Sequence, residues 1–567
     1  MSENPQGVFI DDVEFPFDDS SSILAFTDKA LGDKIIPTLC NDDNLNPYGA
    51  CRVCSVEVQQ SEDGPKRTVA SCHTPVTPGM RIYTNSESVK KLRKNIVELV
   101  LSDHPPDCLT CEVNGNCELQ DVAASVGVRQ IRYAKGENHC DREKDLSHSY
   151  MRMDLSKCIN CSRCVRACDE VQGQFTLTMT GRGFESRITT DNDMLFGDSS
   201  CVSCGACAQT CPTSAISDVF QSKSIEADKT VRTTCSYCGV GCNLEVAVKS
   251  DEVLSIRAPQ DAVNAGHTCL KGRYAFKFYN HEDRLTSPLI RKNGELTPCS
   301  WDEALDYIKD KFESIKAEHG SDAIAGISSA RCTNEENYMF QKMIRQLVGT
   351  NNIDCCARVC HSPTAWGMQQ SFGTGAGTNS TADIPLADLL LVIGANPTSA
   401  HPVTGAKIKQ QAMSGATLIV IDPVRTELAR MADHHLQLKP GTNVAVLNMI
   451  QYYIVEAGLV DHQFIKDRCE GGEEFIEQIK ELDVDAMAEI SGLDKEDVKA
   501  VALAYANAKN AMEFHGLGVT EHSQGTKTVM LISNLAMMTG NLGRPGVGVN
   551  PLRGQNNVQG AADMGCQ

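Results

Sequence analysis

The chain has 567 residues and a formal net charge of −20. That balance excludes a surface built to hold nucleic-acid phosphates, and no apolar run reaches the ~18 residues of a membrane span. The acidic N-terminus has no basic n-region, apolar h-region or twin arginine. The chain is therefore expected in the cytoplasm, where thiols stay reduced and 27 cysteines point to metal ligation rather than to disulfides.

In chain order, Val8-Phe9-Ile10 is a short apolar run and Ser22 to Leu31 has the pattern of a helix. Cys40, Cys51, Cys54 and Cys72 follow, spaced C-x10-C-x2-C-x17-C. Two zinc knuckles would need a second close pair. One close pair with two outliers suits a [2Fe–2S] centre on a small β-rich domain. Val89, Leu92, Ile96, Leu99 and Val100 predict a helix over 87–101, stopping before His104-Pro105-Pro106. His104-x3-Cys108-x2-Cys111-x5-Cys117 then offers three thiolates that His104 would complete. A neutral imidazole in place of a thiolate raises a cluster's potential.

An internal repeat comes next. Cys158-x2-Cys161-x2-Cys164-x3-Cys168 recurs as Cys201-x2-Cys204-x2-Cys207-x3-Cys211, followed by Pro212. In two-cluster ferredoxins the fourth cysteine of each run serves the other cluster. One [4Fe–4S] set is therefore expected to be Cys158, Cys161, Cys164 and Cys211, and the other Cys201, Cys204, Cys207 and Cys168. Asp169 stands where the first run would ordinarily have proline. Cys235-x2-Cys238-x3-Cys242-x26-Cys269 is a further set of four, open by spacing alone to a zinc ribbon or a [4Fe–4S] cluster. Cys140, Cys299, Cys332, Cys355, Cys356, Cys469 and Cys566 fall outside these spacings and are read as structural or incidental.

Beyond about residue 300 the pattern is alternating α/β. Ala323–Ile327 is predicted as a strand and Asn334–Leu347 as a helix. Leu389–Ile393 and Leu418–Ile421 are continuous apolar runs, as in parallel strands buried on both faces. They end in Gly394-Ala395-Asn396-Pro397 and Asp422-Pro423, where open α/β sheets bind ligands. No G-x-G-x-x-G follows a strand, so a nicotinamide site is not supported. Gly373-Thr374-Gly375-Ala376-Gly377 follows no β run and is expected to be a flexible loop. Cys360-His361 is expected in a loop after Ile353-Asp354.

Three resemblances rest on these motifs. The first 145 residues resemble the electron-entry head shared by the large iron–sulfur subunit of complex I, the iron-only hydrogenases and some formate dehydrogenases. This implies a [2Fe–2S] β-grasp domain and a [4Fe–4S] cluster held by one histidine and three cysteines. The Cys235 set, running into Leu270-Lys271-Gly272, resembles the small [4Fe–4S] domain of the molybdopterin oxidoreductases. This implies that Lys271 lies between cluster and pterin. Cys360-His361-Ser362-Pro363-Thr364, with Gly540-Asn541-Leu542-Gly543-Arg544-Pro545-Gly546 and Pro551-Leu552-Arg553-Gly554-Gln555-Asn556-Asn557-Val558-Gln559-Gly560, resembles the formate dehydrogenases.

That last resemblance implies Cys360 as a ligand of molybdenum or tungsten, His361 as a proton acceptor or substrate-positioning group, and Arg553 as the holder of the formate carboxylate. It implies two pterin guanine dinucleotides, touched by Lys271, Asn396, Asp422, Arg425, Gly441, Asn443, Gly518 and Gln555. It also implies a further C-terminal β-barrel domain, either on another polypeptide or lost from a shortened product. The expected fold is multidomain α+β and α/β: a [2Fe–2S] ferredoxin-like domain at 1–88, a histidine-ligated [4Fe–4S] domain at 89–145, a two-cluster ferredoxin domain at 146–226, a four-cysteine [4Fe–4S] domain at 227–290, and molybdopterin-binding α/β domains at 291–567.

The activity this implies is reversible oxidation of formate to carbon dioxide, with one [2Fe–2S] and four [4Fe–4S] clusters passing electrons to another subunit. The expected partners are flavin-containing NAD(P)H-oxidising iron–sulfur subunits, with ferredoxin or hydrogenase subunits as alternatives, in a hetero-oligomer. Two competing readings are an electron-conducting subunit like that of complex I with a vestigial pterin domain, and another pterin enzyme such as a nitrate reductase. Cys360-His361 and Arg553 speak against the first, and the histidine after the cysteine against the second.

Overall fold

The apolar run at Val8–Ile10 becomes part of a five-stranded sheet in the order Val13–Phe15, Val8–Ile10, Arg81–Tyr83, Ser55–Gln59, Arg67–Ala70. Val8–Ile10 and Arg81–Tyr83 run parallel, and the other pairs are antiparallel. The expected helix forms as Ile23–Leu31, with the Ser22 hydroxyl accepting from the Ala25 N–H and Gly32 ending it in the left-handed region. Its apolar face, Ile23, Leu24 and Phe26, joins Val56, Val58 and Ile82 in one core. This computed structural model describes residues 7–220 and 225–567. The chain forms two units, Met1–Thr233 with Leu244–Tyr274, and Thr234–Asn243 with Ala275–Gln567.

The predicted helix over 87–101 runs two residues further, Glu87–Asp103, so that His104 follows its last turn. Two short antiparallel pairs, Met151–Met153 with Ile216–Asp218 and Leu177–Thr180 with Arg187–Thr190, frame the repeated cysteine runs. Arg163 and Arg166, both buried, tie these runs to the earlier domains of the first unit. Arg163 reaches Asp42 at 2.8 Å, Glu118 at 2.5 Å and Thr210 at 3.0 Å, while Arg166 donates to the carbonyls of Asn46 (2.8 Å) and Cys40.

The second unit is built on five parallel strands: β1 (Leu389–Ile393), β2 (Thr417–Ile421), β3 (His434–Leu436), β4 (Ala511–His515) and β5 (Gly548–Pro551), in the order β3-β2-β1-β4-β5. Alternation along β1 explains its continuous apolar run. Leu389, Leu391 and Ile393 pack into one core, Leu390 and Val392 into another on the opposite face. The strand order reverses between β1 and β4, and the crevice beyond their carboxyl ends is where such sheets bind ligands. There Gly394 and Gly518 come so close that a side chain on Gly394 would meet the Gly518 backbone at 2.6 Å.

Three expectations change locally. The strand at Ala323–Ile327 is displaced to Gly326–Ser328, because Ser321–Ala323 close a tight helical turn. The helix from Asn334 ends at Lys342 and widens into a π turn, Met343–Val348. Cys360 sits not in a loop but at the end of the helical turn Ala357–Cys360, and His361 opens the helix Ser362–Phe372.

One buried group makes stability depend on pH. Asp28 has a buried Oδ1 without a hydrogen-bond partner, and burial, with Asp43 and Asp33 adding to it, raises its carboxyl to about 6. The acid ionises less readily folded than unfolded, so it weakens the fold progressively as pH rises from about 4 and fully above about 6. Asp28→Asn is expected to raise the melting temperature at pH 7–8 and to leave it unchanged near pH 4. A pH series of thermal melts checks this, and an equal shift at both ends would contradict it.

Candidate cluster sites and active site

The thiols of the first set stand as two touching pairs. Cys54 and Cys72 are 3.4 Å apart, and Cys40 accepts from the Cys51 N–H at 3.5 Å and shares a hydrogen bond with its thiol. In each pair that shared bond pulls one thiol down, Cys40 and Cys54, and pushes its partner up, Cys51 and Cys72, so each pair shares one proton between two sulfurs. His104, Cys108, Cys111 and Cys117 line one cavity of about 480 Å³. The Nδ1 of His104 is buried there without a partner, and burial holds its imidazole neutral. A buried, unpartnered lone pair beside three thiols fits a metal ligand.

The two ferredoxin runs interleave. Burial pushes the Cys161 thiol up to about 12 and Cys211 adds to it, while Cys164 is raised by burial and then by Cys161 and Cys211. Cys158 is raised by a hydrogen bond with Cys140, by burial, and by Cys164 and Cys161. In the second run, burial and then Cys168 and Cys201 push Cys204 to about 12, and burial and Cys168 act on Cys201. Cys211 acts on Cys161 and Cys164 of the first run and Cys168 on Cys201 and Cys204 of the second, while Cys207 is raised by Cys204 and Cys201 and also by Cys164 of the first run. Buried thiols that repel one another in this way release protons to iron and lose the penalty. Cys140, expected to be incidental, lies against Cys158 and 3.2 Å from His139 Nε2.

Of the last set, Cys235, Cys238 and Cys242 belong to the second unit and Cys269 to the first. The Cys235 N–H donates to the Cys242 carbonyl at 2.8 Å. Lys271 is exposed on the short helix Leu270–Tyr274 of the first unit. In the second unit a different lysine, Lys407, lies near Cys242; burial lowers its ammonium and the thiol opposes that.

Cys360, His361 and Arg553 come together across a wide gap in sequence: His361 and Leu552, which touch, are 191 positions apart in the chain. The strap Leu552-Arg553-Gly554-Gln555 follows β5 and crosses the Cys360 turn. The Gly554 N–H donates to Cys360 Sγ, and Gln555 Oε1 stands 3.8 Å from that sulfur. His361 Nε2 meets the Leu552 carbonyl at 2.9 Å and His401 Nε2 the Arg553 carbonyl at 2.6 Å. The Thr520 hydroxyl holds the Cys360 carbonyl at 2.6 Å. A side chain on Gly239 would collide with the Arg553 carbonyl, so this approach requires glycine.

A cavity of about 560 Å³ opens here, lined by His361, Arg553, Trp366, Gln369, Thr526 and Gln559 among others. One Arg553 nitrogen donates to the Gly375 carbonyl, so the loop expected to be merely flexible is an anchor of the guanidinium. Burial raises the Cys360 thiol, opposed by the Gly554 N–H and Arg553. Burial, then His515 and Arg553, lower His361 to about 3, so it is a neutral imidazole.

Of the residues expected to touch the pterins, Lys271 belongs to the first unit and Gln555 to the strap beside Cys360, while the other six follow strands of the second unit's sheet. Asn396 and Asp422 follow β1 and β2, Arg425 is exposed just beyond, and Gly441 precedes the helix Asn443–Glu456. Asn443 Nδ2 donates to the Gly518 carbonyl at 3.2 Å. Burial raises the Asp422 carboxyl, whose Oδ1 accepts from the Val424 N–H at 2.8 Å. Sequence reasoning missed His401, Thr520, Gly375, Thr364, Glu513 and His515. Of these, Thr364 and Gly375 stand inside motifs already singled out, and Glu513-x-His515, two polar residues on one face of an apolar stretch, left a readable signal.

Family models match five stretches of the chain. Residues 284–566 match the family described as molybdopterin oxidoreductase and 228–281 its Fe4S4 domain. Residues 7–87 match a 2Fe-2S iron-sulfur cluster binding domain, 93–132 the NADH-ubiquinone oxidoreductase-G iron-sulfur binding region, and 157–215 a 4Fe-4S dicluster domain. A Bacillus subtilis (strain 168) protein, provisionally named an oxidoreductase, is 34% identical over 94% of this chain and 57% of its own length. A Staphylococcus aureus (strain MRSA252) protein, provisionally named a formate dehydrogenase, is 34% identical over 98% of this chain and 60% of its own. The chain thus spans 57% and 60% of these relatives. Among solved structures, acetylene hydratase from Pelobacter acetylenicus is similar with a TM-score of 0.50 and 26% identity, covering 57% of this chain and 45% of that one. An NAD+-reducing [NiFe]-hydrogenase chain matches at a TM-score of 0.35 and 28% identity, over 40% of this chain and 92% of that one.

If the runs are crossed as ligands, Cys158→Ala and Cys211→Ala are expected to remove the same [4Fe–4S] signal, with about four iron atoms each. Cys168→Ala and Cys201→Ala are expected to remove the other. Iron analysis with electron paramagnetic resonance of the reduced protein decides. Loss of one common signal in Cys158→Ala and Cys168→Ala would contradict the crossing.

Proposed function

Because the chain belongs to the molybdopterin oxidoreductases and carries [2Fe–2S] and [4Fe–4S] domains ahead of that fold, we propose that it oxidises formate to carbon dioxide, reversibly, at a molybdenum or tungsten centre. The observation that carries this is the placement of Arg553 and His361 on one cavity beside Cys360. The provisional name of the Staphylococcus aureus relative supports it. The acetylene hydratase shares the fold, but a guanidinium set into the cavity favours a small carboxylate over an uncharged substrate.

The residues fit the group. Cys360 supplies a soft sulfur ligand, and the Gly554 N–H directed at it favours the thiolate that a metal needs. Cys360, with two pterin guanine dinucleotides, would hold the metal, which when bound would supply the acceptor for two electrons. Gln555 beside the sulfur and Asn396, Asp422, Arg425, Gly441, Asn443 and Gly518 at the sheet end are the residues we assign to the pterins, with Lys271 toward the cluster. Arg553 binds and orients the formate carboxylate through paired N–H groups. His361, a neutral imidazole on the cavity wall, is the group we assign to positioning the substrate or relaying its proton.

Cys235, Cys238, Cys242 and Cys269, the two ferredoxin sets, His104 with its three cysteines and the first four cysteines are the residues we assign to iron–sulfur clusters, which when bound would supply one-electron carriers. The complex I-like region at 93–132 supports a partner that exchanges electrons there, and we assign a flavin-containing NAD(P)H-oxidising subunit in a cytoplasmic hetero-oligomer. No helix among the described residues is long and apolar enough to cross a membrane. Cys360→Ala is expected to abolish formate oxidation with the iron signals intact; retained turnover would remove Cys360 from the reaction. Arg553→Ala is expected to raise the KM for formate about 10–100-fold, the cost of about 1.5–3 kcal/mol for a charged hydrogen-bonded pair. An unchanged KM would show that the carboxylate is held elsewhere.

A further inference from the structure

A file of buried polar side chains stands behind the cavity, and formate capture does not account for it. Glu513 and His515 lie two residues apart on β4, hence on the same face, and are 1% and 0% exposed. The Glu513 carboxyl oxygens are 3.1 and 3.2 Å from His515 Nδ1. His515 Nε2 is 3.2 Å from Thr364 Oγ1, which is 3.0 Å from His361 Nδ1. The file ends where His361 Nε2 meets the Leu552 carbonyl. A strand otherwise filled by Ala511, Met512 and Phe514 does not need an acid and an imidazole to fold, and burying them costs stability.

The donors can be assigned by counting protons. The Leu552 carbonyl can only accept, so His361 Nε2 carries hydrogen. His361 is fully buried and, among the described residues, makes no ion pair with a carboxylate, so an extra proton would be an uncompensated buried charge and Nδ1 is bare. The single hydroxyl proton of Thr364 goes to that Nδ1, and Thr364 must then receive the N–H of His515 Nε2. The remaining proton is shared between His515 Nδ1 and Glu513. Every donor is thereby matched to one acceptor.

We propose that Glu513 and His515 are positioning residues which, through Thr364, fix the ring orientation and Nε2–H tautomer of His361. The device resembles the way a buried carboxylate orients a catalytic imidazole, with a hydroxyl inserted between two rings. It also sets the register of the strap, since the tautomer it selects donates to the carbonyl next to Arg553. The effect on turnover rests on the formate reading; the tautomer does not.

The test uses the full-length, metal-loaded protein with His515→Phe, His515→Gln and Thr364→Val, the last nearly isosteric in case the larger change disturbs folding. Metal and iron contents, kcat and KM for formate, and 15N spectra of histidine-labelled protein are measured, the His361 resonances being those lost in His361→Gln. His515→Phe and Thr364→Val are expected to keep metal, iron and KM, to lower kcat about tenfold, part of the ~10²–10⁴ available to a placed acid or base, and to split the His361 signal between tautomers. His515→Gln, which restores an N–H donor, is expected to recover both. An unchanged His361 signal in His515→Phe and Thr364→Val, or a glutamine no better than phenylalanine, would overturn the proposal. Wild-type protein inactive on formate would sink the functional reading while the tautomer spectra still decide this one.

Discussion

The second unit depends on one crossing of backbone over backbone: the strap Leu552–Gln555 lying on the helical turn that ends at Cys360. Sulfur, imidazole and hydroxyl all serve this crossing, through Gly554 to Cys360, His361 to Leu552, His401 to Arg553 and Thr520 to the Cys360 carbonyl. Polar groups buried in this way must find partners or cost about 1–3 kcal/mol each. Here they find them in the register the strap adopts. That register puts the guanidinium of Arg553 on the same cavity as His361, so the fold's need to satisfy hydrogen bonds and the site's need for fixed distances coincide.

The first unit solves a different problem. Its thiols are useful only when they can lose protons to iron, and most are held protonated by burial and by one another. Such a unit is held back from its final electrostatic state until its clusters are in place, because metal binding and folding free energy are then linked. Arg163 and Arg166 supply what the small β-sheets lack, buried guanidinium groups that fix separate cysteine-bearing segments against one another. The Arg163–Asp42 pair, mostly enclosed, is of the kind that is expensive to break by removing one partner.

How much of this is legible in the sequence follows from range. Ligand spacing is local, so the cysteine runs pair as candidates from sequence, and continuous apolar runs mark β1 and β2 to within one residue. The strand near Ala323 is displaced because a tight turn competes with a short apolar run, which periodicity alone does not register. The Cys360 turn reads as a loop because its helical hydrogen bonds are few and its neighbours uninformative. His401 and Thr520 leave no trace, and Gly375 only that of a glycine-rich loop, because each meets its partner 150 or more residues away through a backbone carbonyl, a contact that imposes no pattern on either segment.

The central claim is that the sulfur of Cys360 is bonded to the group-six metal of the site. X-ray absorption at the molybdenum or tungsten edge, on matured wild-type and Cys360→Ser protein, tests it most directly. The account predicts one metal per chain and one fewer sulfur neighbour in the serine variant, with a shorter oxygen distance in its place. Identical spectra from the two proteins, or matured wild-type protein without molybdenum and tungsten, would contradict it.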